Sequence, residues 1–589
     1  MKRYFSLILI VALLLFSFTA CGSDSNITPN SFHSNTPGDN VSGSSSDVIS
    51  DSENSTLTES EFAVTASDMF TKRDKKTEYD NNAVRIQLNG SSATANSDKV
   101  QISDSTVTIT EEDTYILSGT LDDGTIIVNA DNSAKLHLIF DNVSINSNDS
   151  AAILVLSADK VIVTLASEQN SLSNGGIFTT IDDININAVL YSKEDLSLNG
   201  SGSLTINSPA GHGISCKDDL VLAGGTYTIT AANHGLDAND SIRLTSSAIT
   251  IAAGKDGMHA ENSDDATLGF VYIADGTYQI NAQDDGIHAG STLTILDGDI
   301  NITESYEGLE ALDLVIKGGN IRLIASDDGL NAADPATNNF DAPGKNDFGR
   351  PNGAPAASPD TSFPVPSVSE ELTPETGTNH RGNRPGKIKG DFSDFPDGSE
   401  NLPPDVIPDR NMQNRPNGNF GGGFDNKFSG GFGGGTFGGM RSSNCSITIT
   451  GGNLYIQASG DGIDANGSLT ITGGDITICG PNRGDTASLD YDTTATISDA
   501  TFIATGATGM AQTLSSSEQG IITINVGNQN AGTTLTLTDS KGNVLLTQTP
   551  ELPYSLVILS SPDLVSGKSY TLSISDGNTS VTTKTITAE

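Results

Sequence analysis

A Gly followed by an aliphatic residue recurs in this chain at a nearly constant interval, and that repeat restricts the possible fold more than any other feature. The pair stands at Gly213-Ile214, Gly235-Leu236, Gly257-Met258, Gly286-Ile287, Gly308-Leu309 and Gly329-Leu330, with spacings of 22, 22, 29, 22 and 21 residues, and returns at Gly462-Ile463. Two places beyond each aliphatic residue lies Ala238, Ala260, Ala289, Ala311, Ala332 or Ala465, with Cys216 in the first unit. Each unit then continues as two alternating stretches divided by a tight turn, as in Leu469-Thr470-Ile471, Gly473-Gly474 and Ile476-Thr477-Ile478. Alternation of period two turns one face inward and the other outward. The unit is too long for a nonapeptide calcium-binding coil and lacks the helix of a leucine-rich repeat. The pattern predicts an all-β chain: a right-handed, three-sided parallel β-helix in which equivalent residues stack about 4.8 Å apart.

The rest of the chain divides around this repeat. Residues 1–20 read as a signal peptide, with Lys2 and Arg3 before an apolar run. Phe18-Thr19-Ala20-Cys21-Gly22-Ser23 resembles a bacterial lipoprotein cleavage box, departing at Phe18 where Leu is usual, so lipidation is expected at Cys21. An ordinary secretory signal cut nearby is the alternative. Either reading places the mature protein outside the cytoplasm, and the first anchors it to the membrane. Residues 21–65 are rich in Ser, Asn, Asp, Thr and Gly and predict a disordered linker. Residues 66–205 predict irregular first coils, 206–334 the regular coils, 335–443 a disordered Pro/Gly/Phe-rich insertion, and 444–518 the last coils. Residues 519–589 carry longer alternating stretches that predict a small C-terminal antiparallel β-domain.

Outward positions carry the chemistry. The residue before each Gly is His212, His234, Asp256, Asp285, Glu307, Asp328 or Asp461; the residue after each aliphatic position is Ser215, Asp237, His259, His288, Glu310, Asn331 or Asp464. Stacked at strand spacing, like charges repel by about 1 kcal/mol or more per pair. Hard oxygen donors with few basic residues nearby suit Ca²⁺. The expected ligands are Asp256, Asp285, Glu307, Glu310, Asp328, Asp461 and Asp464, against the alternative that these are solvated turn residues. The four His also admit zinc or copper, although no His-x-x-x-His or Cys-x-x-Cys spacing accompanies them. Cys216 reads as a buried thiol, and a Cys445–Cys479 bridge stays open. A formal net charge of −43 argues against nucleic-acid binding.

Taken with the signal, the insertion and the C-terminal β-domain, Ser326-Asp327-Asp328-Gly329-Leu330-Asn331-Ala332-Ala333, Gly460-Asp461-Gly462-Ile463-Asp464-Ala465 and Gly506-Ala507-Thr508-Gly509-Met510-Ala511 resemble segments of a clostridial family of extracellular carbohydrate-binding proteins with a polysaccharide-lyase-like β-helix. The resemblance implies binding of plant cell-wall polysaccharide, acidic polygalacturonate or cellulose, with calcium held by the coils. Asp328, Asp461 and Asp464 match its acidic positions best, whereas His212, His234 and Ser215 depart from them. The resulting expectation is a non-catalytic, monomeric binding module. Its competitors are a pectate lyase using Lys255, Lys217 or Arg483 as base, a polygalacturonase using paired carboxylates, and a structural adhesin.

Overall fold

A computed structural model describes residues 69–80, 82–180, 184–334, 445–514, 516–517, 519–577 and 581–589. The signal peptide, Cys21, the 21–65 linker and the 335–443 insertion lie outside the described residues. Among the described residues, 34 strands join into one sheet, and the four strands Thr534–Thr538, Val544–Gln548, Ser569–Ser575 and Val581–Thr587 form a second, antiparallel one.

Within the large sheet each repeat hydrogen-bonds in parallel to the next, so the inward aliphatic residues pair in sequence: Ile214 with Leu236, Leu236 with Met258, Met258 with Ile287, and so on to Leu330 with Ile463. All are fully buried, and each such side chain contributes roughly 1.5–3 kcal/mol of burial free energy. Cys216 pairs with Ala238 in the neighbouring inward column, where burial pushes its thiol pKa up. Cys216, Cys445 and Cys479 are all buried thiols, and no Cys445–Cys479 bridge forms.

The open, right-handed three-sided β-helix expected from the repeat is corrected by this topology: the parallel strands make one continuous sheet that closes on itself, barrel-like, around a single core. The reason lies at one corner. The turn predicted to separate two faces is absorbed into long strands such as Asp195–Ser208, Asp219–Ala231 and Cys445–Ala458. Gly224 and Gly225, at φ of 109° and 87°, bend the second of these without ending it. The C-terminal region is likewise less separate than expected, because Ile521–Gln529 and Tyr554–Ser560 pair with each other and Tyr554–Ser560 also pairs antiparallel with Thr501–Gly506 of the large sheet.

At the opposite corner the repeated Gly is required for close approach. A Cβ on Gly257 would lie 2.5 Å from Ile280 Cγ2 and 2.6 Å from the Gly286 carbonyl oxygen, and Gly235 and Gly286 meet the same obstacle. Gly257→Ala is therefore expected to destabilise the protein by about 1–3 kcal/mol. Chemical denaturation of the two proteins measures this, and an unchanged midpoint would remove the close approach as the reason for the repeat.

Candidate functional site

The outward columns follow from that Gly corner. The N–H of each Gly donates to the carbonyl of the residue before the next Gly: Gly235 to Asp256 (3.0 Å), Gly257 to Asp285 (2.9 Å), Gly286 to Glu307 (2.9 Å), Gly308 to Asp328 (2.9 Å) and Gly329 to Asp461 (2.8 Å). Several side chains repeat the link: Asp256 Oδ1 accepts the Asp285 N–H at 3.0 Å, and Asp285 Oδ1 accepts the Glu307 N–H at 3.1 Å. Asp328 and Asp461 accept the N–H groups of Asp461 and Ala487 in the same way. One oxygen of each of these carboxylates thus ties successive repeats together. The second column stacks Ser215, Asp237, His259, His288, Glu310, Asn331, Asp464 and Asp490 in unbroken register.

The seven expected ligand positions gather into distinct groups. Asp328, Asp461 and Asp464 each present an oxygen within 4.8 Å of the others; Asp256 and Asp285 do so with Asp284, and Asp285 and Glu310 with His288. Glu307 joins none of these groups and instead accepts a hydrogen bond from Asn331 Nδ2 at 2.7 Å. Asp256 and Asp285 are buried and the other five half-buried, so none is a freely solvated turn residue.

Spacing assigns His212 and His234 to one column and His259 and His288 to the other. The rings nevertheless form one stack, with centroids 4.9, 4.4 and 5.1 Å apart and planes within 20°. Carboxylates flank it: His234 Nδ1 lies 3.1 Å from Asp256, His259 Nδ1 3.2 Å from Asp237, and His288 Nδ1 2.8 Å from Glu310.

Electrostatics differ along the columns. Burial would lower His288, but its contacts with Asp285 and Glu310 raise it to about 11. Burial and neighbouring acids push Asp328 and Asp464 up to about 7 and Glu307 up to about 9. The imidazole end is internally compensated. The Asp328 end is not, because among the described residues no cation adjoins its carboxylates.

Two further surfaces carry recognition chemistry. Gln279, Asn301, Arg322, Tyr455 and Thr477 align in one outward column along a groove of about 640 Å³. Asn301 Nδ2 donates to Gln279 Oε1 at 2.9 Å, and the Arg322 guanidinium lies 4.5 Å over the Tyr455 ring. Lys72, Arg73, Lys75, Lys76 and Lys135 line a second cleft of about 740 Å³. Its basic segment is fixed by the buried Asp74, which pairs with Lys160 at 2.7 Å and accepts from Ser197 Oγ at 2.6 Å. The alternation rule marks the first surface as merely outward; the run of four cations in 72–76 marks the second in sequence, but its placement comes from Asp74.

Residues 103–339 match a family model described as carbohydrate-binding domain-containing protein. A protein of the same description from Acetivibrio thermocellus is 34% identical over 139 residues, 23% of this chain and 49% of that protein, so the chain spans about half the length of the curated relative it matches. A solved structure, described as the polysaccharide lyase-like protein from C. thermocellum in a gadolinium derivative, is 30% identical, covering 43% of this chain and 98% of that one at a TM-score of 0.37. These descriptions agree with the family resemblance carried by the sequence motifs.

The acidic end has a measurable signature. Between the ordinary carboxyl value of 3.8 and about 7, folded Asp328 and Asp464 hold protons that the unfolded chain has released. Their contribution to stability therefore decreases as pH rises through that window. In chelator, the thermal midpoint of the protein relative to Asp464→Asn is expected to fall from pH 4 toward pH 7. A difference that stays constant or grows would reject the repulsion.

Proposed function

We propose that the chain is an extracellular, lipid-anchored bacterial protein that binds plant cell-wall polysaccharide without cleaving it, using Ca²⁺ to engage an acidic pectic polymer. The observation that carries this reading is the convergence of Asp328, Asp461 and Asp464 from adjacent repeats with no cation among the described residues to balance them. An all-oxygen group of this kind fits a hard divalent ion, and ligands drawn from neighbouring repeats suit the flexible coordination of calcium. Asp328, Asp461 and Asp464 would hold the ion. When bound, it supplies a positive centre that a uronate carboxylate can share, which a protein of net charge −43 otherwise repels. Cys21 would carry the lipid.

The groove bounded by Gln279, Asn301, Arg322 and Tyr455 supports the same reading. Amide and guanidinium groups in register offer hydrogen bonds at a repeating spacing, and Tyr455 supplies an aromatic surface in a chain without Trp. The same groove would accept a neutral glucan such as cellulose independently of the ion. The lyase alternative receives less support, because two of its three candidate bases are engaged: Lys217 Nζ is 3.2 Å from Asp237 and Arg483 is 2.7 Å from Asp485. Lys255 is exposed beside Asp256.

Retention on insoluble pectate is expected in Ca²⁺ and lost in chelator, with no unsaturated uronate product absorbing in the ultraviolet. Asp461→Ala with Asp464→Ala should weaken Ca²⁺ binding by more than tenfold, since two charged ligands are removed. Arg322→Ala with Tyr455→Ala should weaken polymer retention by about tenfold while leaving Ca²⁺ titration unchanged. Unsaturated product would replace the binding reading by a lyase, and retention insensitive to chelator would remove the ion from recognition.

A further inference from the structure

The acidic group occupies one end of the outward columns; a chemically different group lies at the other. We propose that His212, His234 and Asp237 form a second metal site, for a borderline divalent transition ion with Zn²⁺ as the best fit, distinct from the all-oxygen group and independent of glycan binding. The three side chains come from two successive repeats, His212 from one and His234 and Asp237 from the next, and present one ligand atom each within 4.8 Å of one another. They are 8%, 8% and 7% exposed, so the donors are held by packing rather than free in solvent.

A second observation points independently to a ligand. His212 Nδ1 is buried and has no hydrogen-bond partner. An unsatisfied buried donor or acceptor costs about 1–3 kcal/mol, and a coordinating ion would satisfy it.

The surrounding contacts match what a metal-binding group needs. His234 turns Nδ1 toward the Asp256 carboxylate at 3.1 Å, leaving its other ring nitrogen for an ion; this carboxylate–imidazole pairing orients metal-bound histidines. Asp237 Oδ2 accepts from Ser215 Oγ at 2.7 Å, and its Oδ1 lies 3.2 Å from His259 Nδ1. Lys217 Nζ, 3.2 Å from Asp237 Oδ2, is the cation that the metal would replace beside this carboxylate. Two imidazoles and one carboxylate are too nitrogen-rich for calcium. They leave a fourth tetrahedral position open, the arrangement typical of Zn²⁺.

The test is calorimetric titration of the full, metal-stripped chain with Zn²⁺ in the presence of millimolar Ca²⁺, with Co²⁺ as a spectroscopic substitute. One Zn²⁺ per chain is expected, raising Tm, together with the intense visible absorption of four-coordinate Co²⁺. His212→Ala with His234→Ala should weaken Zn²⁺ binding more than tenfold and abolish the Co²⁺ band, whereas Asp461→Ala with Asp464→Ala should leave both intact. Should the double alanine variant misfold, His212→Gln is the substitute, with the same losses expected. No Zn²⁺ uptake by the wild-type chain would overturn the site. So would uptake and a Co²⁺ band that persist without His212 and His234, since other donors among the five remaining histidines would then hold the ion.

Discussion

The hydrogen bond from each repeated Gly to the next repeat is the constraint on which the rest depends. It brings two backbones so close that no Cβ fits between them: the Gly286 position would place one 2.6 Å from the Gly308 oxygen. The same contact sets the register of the residues on either side. Because the side chains before and after the Gly-aliphatic pair project outward at that corner, a backbone requirement becomes a placement of functional groups. Carboxylates 22 residues apart in the chain become neighbours without any long-range recognition between them.

Placement alone does not decide chemistry; the composition of each column does. At the His end every acid has a basic or hydrogen-bonding partner. Burial would raise Asp237, but His259, His212, Lys217 and Ser215 together hold it well below the usual carboxyl range. Toward the middle, His288 is shared by Asp285 and Glu310. Among the described residues beyond Asn331 no imidazole follows, and Asp464 faces Asp461 and Asp490. A single architecture therefore grades from nitrogen donors at one end to oxygen donors at the other.

Much of this was legible in the sequence because the repeat encodes register directly. The aliphatic and Ala columns, the outward sequence from Ser215 to Asp464, and the resumption at Gly462-Ile463 follow from period and alternation alone. Three features were not. The closure of the sheet depends on whether Gly224 and Gly225 end a strand or bend it, a matter of backbone torsion that the letters Gly-Gly do not specify. The merging of four His into one stack depends on side-chain direction across two columns. The basic cleft depends on a long-range pair, Asp74 with Lys160, between regions outside the regular repeat. Periodicity reports neighbours at the repeat distance and is silent about all others.

The acidic group shows what that rule makes possible. Asp328 and Asp461 are 133 positions apart, yet the N–H of the second donates to the carboxylate of the first, just as Asp285 serves the next repeat without any interruption. Leu330 pairs with Ile463 and Asn331 with Asp464 across the same gap. The 335–443 segment is thus spliced between two adjacent repeats, and three carboxylates from its two flanks meet where the sheet resumes. Closing the splice brings like charges together and so opposes the backbone pairing that surrounds it. An ion bound by Asp328, Asp461 and Asp464 would act on both terms at once, cancelling the repulsion and joining the two flanks. The position of this group at the splice, rather than anywhere else along the columns, would couple ion binding there to the integrity of the sheet.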